Sequence, residues 1–429
     1  MSVADRSAFD SLSRIPVPPM AKPAKKYDRL VSLDVLRGID IFLLFIVDCL
    51  WGALRWGPLA SLMDSSPALQ ETARLLSHHP WQGFTICDLI MPMFIFMTGI
   101  TIPFSLARYR KEEGGQWSWT VVWRIVRRVV LLWIFGMMIQ GNLLALKPEN
   151  FKLYSNTLQA IATGYLISCI VYLFIPRWGQ WLVFVLLLFG YWGACTWVKF
   201  DGYGGGSFEP STNLAFGIDL TVLGHWRDGA SIGEAGEVVF NPDYQYTWLL
   251  SSLTFGATAL SGLFAGELLR GVWHSVREGG DQDRNHWLQG KVFFLLLVLG
   301  GISLALGWGW GSISKVTFGY CPIIKKIWTP SMVLYSSGIS LILLSLCYLI
   351  YDILKLPLLK TFFVVMGANA LTAYVLLHLV PFKEVARWVL YGLEQYTGVY
   401  YEAILAYVGI GLLWLLLWSL YRCGHFLRV

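Results

Sequence analysis

The chain has 429 residues, of which 56% are hydrophobic and only 14% charged, against about 25% charge in a soluble domain. A mean hydropathy of +0.56 and 21 Trp, 20 Tyr and 25 Phe exclude a soluble globular enzyme and point to membrane spans with interfacial aromatic belts. The net charge of +6 lies beside apolar runs, which excludes nucleic acid as a partner, and the seven cysteines show no disulfide or metal-binding spacing.

Residues 1–28 are polar, contain Lys22, Lys25 and Lys26 near their end, and lack an apolar h-region. They read as a disordered cytoplasmic tail rather than a cleaved signal peptide. Residues 29–429 read as one all-α unit, a polytopic membrane helix bundle. Runs near 20 apolar residues predict ten transmembrane helices, at about 39–56, 84–107, 119–141, 156–175, 178–199, 246–270, 289–310, 328–351, 357–380 and 401–421. The apolar segment 384–394 is short and reads as an interfacial helix. An even number of spans places both termini on one side. Lys25, Lys26, Arg108, Arg110, Lys111, Arg124, Arg127, Arg128, Arg270 and Arg422 cluster on that side, so the positive-inside rule predicts cytoplasmic N- and C-termini. The extracytoplasmic loop 200–245, rich in Gly, Asp, Glu and Asn, suits a polar substrate more than a packed domain.

The stretch from Ser77 to Ser105 concentrates the chemistry. His78, His79, Trp81 and Asp88 sit where an apolar run begins, and a carboxylate inside such a run costs about 2.5–3.5 kcal/mol on insertion scales, so Asp88 needs a partner or a wet cavity. Pro92 and Pro103 fall inside the same run, where neighbouring helices can satisfy the freed carbonyls. His78 and His79 are either solvated loop residues or candidate general bases. Asp88 is either a helix N-terminal charge or the group that orients and stabilises a protonated histidine. Asp34 and Arg37 can form a plain intrahelical pair, or Arg37 can bind phosphate at the cytoplasmic mouth. Arg124, Arg127 and Arg128 are either membrane anchors or a phosphate clamp. Asp48, on the outer half of the first span, is a candidate tunnel-lining carboxylate, whereas Asp40 near the inner end can be paired or snorkelling. Gln159, Asn369, Tyr374 and His378 are polar in or near spans, where interhelical hydrogen bonding is the default. His378 is expected on the same side as His78. P-loop, dinucleotide-binding and nucleophile-elbow motifs are absent from the sequence.

Arg29-Leu-Val-Ser-Leu-Asp-Val-Leu-Arg-Gly38, the spaced His78, Trp81, Gly83, Thr85, Asp88, Leu89, Pro92, Phe94, Phe96 and Gly99, and Asn369-x-Leu-x-x-Tyr374-x-x-x-His378 together resemble the transmembrane acetyltransferases typified by heparan-α-glucosaminide N-acetyltransferase and its bacterial homologues. Leu158-Gln159, Asn213 with Asp219, and Trp328-Thr-x-Ser331 fall in the same order. The resemblance implies acyl transfer across a membrane: acetyl-CoA as cytosolic co-substrate, a glucosamine-type amine as acceptor on the far side, and no metal. It implies His78 as the catalytic histidine, with His79 the runner-up. Asp88 or Asp48 would steady the imidazolium, Asn369 or another amide would donate to the oxyanion, and His378 completes the candidate catalytic set. Arg37, Arg124, Arg127 and Arg128 would hold the CoA phosphates, with Asp34 and Gln159 as further donor-side candidates. Two departures from the pattern bear on the acceptor: Asp48 stands where asparagine is frequent, and Gln159 is followed by Ala160 rather than arginine. The expected partners are the lipid bilayer and a sugar acceptor, with a homodimer compatible and nucleic acid excluded; the expected location is a bacterial inner membrane. The alternatives are O-acetylation of an envelope glycan or lipid-linked sugar, and a proton-coupled transporter using Asp40, Asp48 and Asp88.

Overall fold

The computed structural model describes residues 30–56, 66–110, 114–115, 118–140, 143–147, 151–233, 237–277, 282–313 and 319–426, without the side chains of 48–56, 69, 277 and 399. The expected N-terminal tail and the Asp48 side chain therefore lie outside the described residues. The chain is an all-α membrane helix bundle. Its helices are α1 (Val31–Trp56), α2 (Pro67–Leu75), α3 (Ile86–Leu106), α4 (Trp119–Ile139), α5 (Thr157–Phe174), α6 (Arg177–Trp197), α7 (Leu214–Leu223), α8 (Ser251–Arg277), α9 (Gln282–Gly311), α10 (Pro330–Cys347), α11 (Lys360–Ala368), α12 (Ala370–Leu379), α13 (Phe382–Val389) and α14 (Tyr401–Arg422).

Seven segments among the described residues are long and apolar enough to cross a bilayer: Ile86–Tyr109, Thr157–Phe174, Arg177–Trp197, Ser251–Val276, Gln282–Gly311, Pro330–Ile353 and Tyr401–Arg422. The pair α11 and α12, bent by 73°, makes eight if it forms one span. The sequence expectation of ten also includes α1 and α4. Both are long helices, of 26 and 21 residues, but both are charge-bearing. Asp34, Arg37, Asp40 and Asp48 lie on α1, and Arg124, Arg127 and Arg128 on α4.

Small residues set how closely the helices approach. A Cβ on Gly262 would stand 1.9 Å from the Phe96 carbonyl oxygen, and one on Gly99 would stand 1.9 Å from that of Ala259. Glycine at these points lets the backbones of α3 and α8 touch, as small-residue stripes do in membrane bundles. Gly367 does the same for α11 against α1, where a Cβ would meet the Asp34 carbonyl oxygen at 1.7 Å. Helix α3 thereby becomes the central element, packed on α1, α5, α8 and α10.

The segment expected as an open polar loop, 200–245, is instead folded. It holds the hairpin β1 (Lys199–Phe200) with β2 (Tyr203–Gly204), helix α7, and the hairpin β3 (Ala230–Ile232) with β4 (Val238–Phe240). Two ionisable residues organise it. Asp219 accepts hydrogen bonds from the backbone N–H groups of Trp248 (2.7 Å) and Leu249 (3.0 Å), just ahead of α8. The fully buried Arg227 stands between the rings of Phe216 and Tyr244, 4.8 and 5.0 Å from their centroids. It also donates to the carbonyls of Tyr244 and Tyr246, at 3.0 and 3.4 Å. These two buried residues tie the segment to the chain just ahead of α8.

Candidate active site

Helix α3 begins with a capping box, Thr85-Ile-Cys-Asp88, in which the Asp88 side chain reaches back to the Thr85 N–H. Asp88 is buried, and its two oxygens divide the labour. Oδ2 accepts from the backbone N–H groups of Thr85 (3.1 Å) and His79 (3.2 Å). Thr85 Oγ1 donates to the Ser77 carbonyl at 2.7 Å and lies 3.1 Å from Asp88 Oδ2. Oδ1 faces His78 Nδ1 at 3.0 Å and Lys325 Nζ at 3.3 Å. One Asp88 oxygen thus serves the helix N-terminus, while the other faces His78 and Lys325.

Lys325 completes the cluster, with Nζ also 3.1 Å from His78 Nδ1. It comes from the turn ahead of α10, and the Trp328-Thr-Pro-Ser331 element fixes that turn. Thr329 Oγ1 donates to the Pro322 carbonyl (2.7 Å) and accepts from the Ile324 N–H (3.1 Å). Ser331 donates to the same carbonyl at 2.9 Å. Trp328 holds a left-handed backbone, φ 50°, and is buried, donating through Nε1 to Thr258 Oγ1 at 3.0 Å. Such strain persists only where surrounding contacts over-determine it. The Gly83 N–H bonds to the Ile323 carbonyl at 2.9 Å, tying the histidine loop to the lysine turn. Burial pushes the Lys325 ammonium down from its ordinary pKa, and the Asp88 carboxylate opposes this.

The sequence alone did not single out Lys325. It lies 247 positions from His78, so no local spacing links them. The one available signal was its place four residues ahead of Thr329, in the element that the resemblance already singled out.

His78 opens onto a cavity of about 310 Å³. Lys325, Tyr244, Tyr246, Trp248, Asp228 and Gln140 contribute to its wall, as do Tyr374 and His378. Asp228 accepts from Gln140 Nε2 at 2.8 Å. His378 Nδ1–H donates to the Tyr374 carbonyl at 2.8 Å, which turns Nε2 away from its own helix. Asp219 and Arg227 hold the Tyr244–Trp248 segment, so the folded loop supplies the aromatic side of this cavity.

A second cavity, also about 310 Å³, contains Arg37, Arg128, Met97, Thr98, Thr101 and Leu132 in its wall. Phe94, Thr157 and Tyr374 line both cavities. The two spaces therefore abut, with arginines at one end and His78 at the other. Arg128 stacks on Tyr165, 4.3 Å from the ring centroid, and its Nε is buried without an acceptor among the described residues. Arg37 lies 3.5 Å from Asp34.

The remaining candidates sit elsewhere. Arg124 stands over Tyr109, 6.0 Å from its centroid, and Arg127 is exposed; neither lines the described cavities. Gln159 is buried at the start of α5. Its Oε1 accepts from the N–H groups of Ser155 (2.7 Å) and Asn156 (3.0 Å), and its Nε2 donates to the Leu153 carbonyl (3.0 Å). It closes the N-terminus of α5, whose first turn borders both cavities: Ser155 and Asn156 line the histidine cavity, Leu158 the arginine cavity, and Thr157 both. Asn369 forms the corner between α11 and α12, with Nδ2 facing the carbonyls of Val365 (3.4 Å) and Leu417 (3.5 Å). The ring of His79 packs on the turn at Gly83, whose added Cβ would stand 2.4 Å from His79 Nε2. Asp40 is fully buried with neither oxygen hydrogen-bonded among the described residues. Among the described residues, no group of three or more His, Cys, Asp or Glu could hold a metal ion.

Residues 29–203 match a domain family of unknown function, DUF5009. Over 390 residues, 81% of this chain, the sequence is 24% identical to heparan-alpha-glucosaminide N-acetyltransferase of Homo sapiens and 23% identical to the Mus musculus protein of the same name. Over that length the chain is similar to these two acetyltransferases. It spans about half the length of the curated relatives it matches, 52% and 53% respectively. The apolar helices make the chain an integral membrane protein of the multi-pass type.

Proposed function

We propose that the chain moves an acetyl group from acetyl-CoA, bound at the arginine end, to the amine of a glucosamine-type sugar at the histidine end. The observation that carries this is the pair of abutting cavities joining Arg37 and Arg128 to His78. Acetyl-CoA supplies an activated thioester, so the protein's task is positioning and proton handling. Arg37 and Arg128 would hold anionic groups of the donor. His78, with Nδ1–H donating to Asp88 Oδ1, presents Nε2 as the base that takes a proton from the acceptor amine. Asp88 stabilises the imidazolium that forms and holds its tautomer. Lys325 offsets the Asp88 charge before the proton arrives. Tyr244, Tyr246 and Trp248 offer flat apolar faces to a sugar ring, and Asp228 and Gln140 offer polar groups to its hydroxyls. On this reading ten helices cross the bilayer, the arginine end and both termini face the cytoplasm of a bacterial cell, and the acceptor binds on the far side.

The test uses purified protein in vesicles, with radiolabelled acetyl-CoA supplied to the arginine face and glucosamine or a hydroxyl-only sugar to the other. Thiol release with label on glucosamine, lost in His78→Ala while donor binding persists, is the expected result. A folded wild-type protein that releases no thiol with either acceptor sinks the reading; label on the hydroxyl sugar alone moves it to O-acetylation.

A further inference from the structure

Phe94 and Tyr374 line both cavities, and their rings meet edge-on, with centroids 6.4 Å apart at 71°. Each sits where its helix has freedom to yield. Phe94 follows Pro92 in α3, and proline removes a backbone N–H from the helix ladder. Tyr374 lies just beyond the 73° bend between α11 and α12, so α12 can shift without carrying α11 with it. On the histidine side, the Tyr374 ring lies 4.6 Å from that of His378, and its carbonyl accepts the His378 Nδ1–H. The aromatic pair, with Thr157 beside it, thus stands where the histidine cavity meets the cavity walled by Arg37, Arg128, Thr101, Met97 and Leu132. Edge-on ring contacts are weak enough for an inserted chain to part them.

We propose that Phe94 and Tyr374 form an aromatic gate between the two cavities, parted by a chain threaded from the arginine end and otherwise closed to water. The proposal rests on the acyl-transfer reading for its purpose, though not for its existence. With an open gate, water from the histidine side reaches a thioester in transit. Water then adds to the thioester carbonyl and the C–S bond breaks. The products are carboxylic acid and free thiol, with His78 passing the water's proton to the leaving sulfur. A closed gate therefore protects the donor from hydrolysis until an acceptor is seated.

The test separates the gate from the chemistry. In a chain stripped of native cysteines and reconstituted in vesicles, Thr101→Cys reports on the arginine cavity and Gln140→Cys on the histidine cavity; both positions line their respective walls. A small, membrane-impermeant methanethiosulfonate reagent is applied from the histidine face. Gln140→Cys is expected to react whether or not Phe94 is present. Thr101→Cys is expected to react at least tenfold faster when combined with Phe94→Ala. In the cysteine-bearing native background, Phe94→Ala is expected to raise acceptor-independent thiol release several-fold. Equal Thr101→Cys labelling with Phe94 in place overturns the gate, as does its protection in Phe94→Ala while Gln140→Cys reacts. Tyr374→Leu and Phe94→Val, read by the same labelling, replace Phe94→Ala if that variant does not fold. Gated labelling without any thioester turnover would leave the gate standing and sink the acetyltransferase reading instead.

Discussion

Replacing Asp88 by asparagine keeps the shape of the side chain and reverses what one of its two ends can do. The amide oxygen can take the place of Oδ2 and keep the N–H groups of Thr85 and His79. The amide nitrogen then faces Lys325 Nζ and His78 Nδ1, where the carboxylate stood at 3.3 and 3.0 Å. Two consequences follow. At 3.3 Å and an effective dielectric constant of about 20, the lost attraction to Lys325 is about 5 kcal/mol. Removing one partner of a buried ion pair typically costs about 3–5 kcal/mol, a large share of a stability of about 5–15 kcal/mol. Lys325, already pushed down by burial, can shed its proton, so the expected loss is at the lower end, about 3 kcal/mol. The second consequence is chemical. With Lys325 and the new amide both presenting donors, Nδ1 loses the acceptor that held its proton, so the proton of His78 moves to Nε2, the wrong tautomer for a base; the same change in a serine protease triad costs about ten-thousandfold in kcat. Turnover measured as thiol release should fall by about three orders of magnitude or more, with donor affinity retained. The double variant Asp88→Asn, Lys325→Met removes the stranded ammonium, so melting temperature should recover while turnover does not. Asp88→Asn turning over within tenfold of wild type would refute the assignment of Asp88 as the orienting group.

Three further outcomes follow from the same geometry. His79→Ala should cost less than tenfold in turnover, because its ring packs on the Gly83 turn rather than in the cavity wall, whereas His78→Ala should leave no measurable turnover; the paired assays decide between neighbours. Arg37→Ala and Arg128→Ala should each raise the donor KM by about tenfold with kcat little changed, as expected when a charge-assisted hydrogen bond worth about 1.5–3 kcal/mol is lost; steady-state kinetics over a range of donor concentrations would show it. Asp219→Asn can satisfy only one of the N–H groups of Trp248 and Leu249, so the melting temperature at pH 4 should fall by an amount equivalent to about 1–3 kcal/mol. Burial pushes the Asp219 carboxyl up to about 6, against the opposing pull of Leu249, Trp248 and Arg227. The folded state therefore holds this proton more tightly than the unfolded chain. Its contribution is present at about pH 4 and is lost as pH rises through about 6, a slope in thermal melts that Asp219→Asn should abolish.

The bundle was legible because its spans are long apolar runs, and the α3 N-terminus was legible because a capping box and a histidine pair are local in sequence. Charge-bearing α1 and α4 were legible as segments for the same reason, though composition alone does not pass them as spans. What the sequence hid was contact across distance. Lys325 reads as a surface charge until the turn at Pro322–Ser331 folds it under His78. Gln159 reads as an intramembrane polar group available to a ligand, yet its amide closes the N-terminus of its own helix. The loop 200–245 reads as open because its composition is polar; burial of Asp219 and Arg227 depends on partners at Phe216, Tyr244 and Trp248 that no periodicity announces. Asn369 reads as a polar residue within a span, and its place at the corner between α11 and α12 has no local sign in the sequence.

The transporter alternative asks different things of the same residues. A proton relay needs ionisable groups that meet water along a continuous path. Asp40 lines neither described cavity and is sealed in α1. Asp88 sits behind His78 with its oxygens taken up by Thr85, His79, His78 and Lys325, an arrangement that fixes a ring rather than passes a charge. The path is also asymmetric: guanidinium groups at one end, and at the other an imidazole backed by a carboxylate and walled by aromatic rings. A transported solute would have to suit both ends and part Phe94 from Tyr374 as a whole molecule. An acyl donor need suit only the arginine end, pass a slender arm between the rings, and leave its acyl group at His78, while the acceptor meets only the aromatic end. Two substrates with opposite requirements match two unlike ends, and that match favours group transfer over transport.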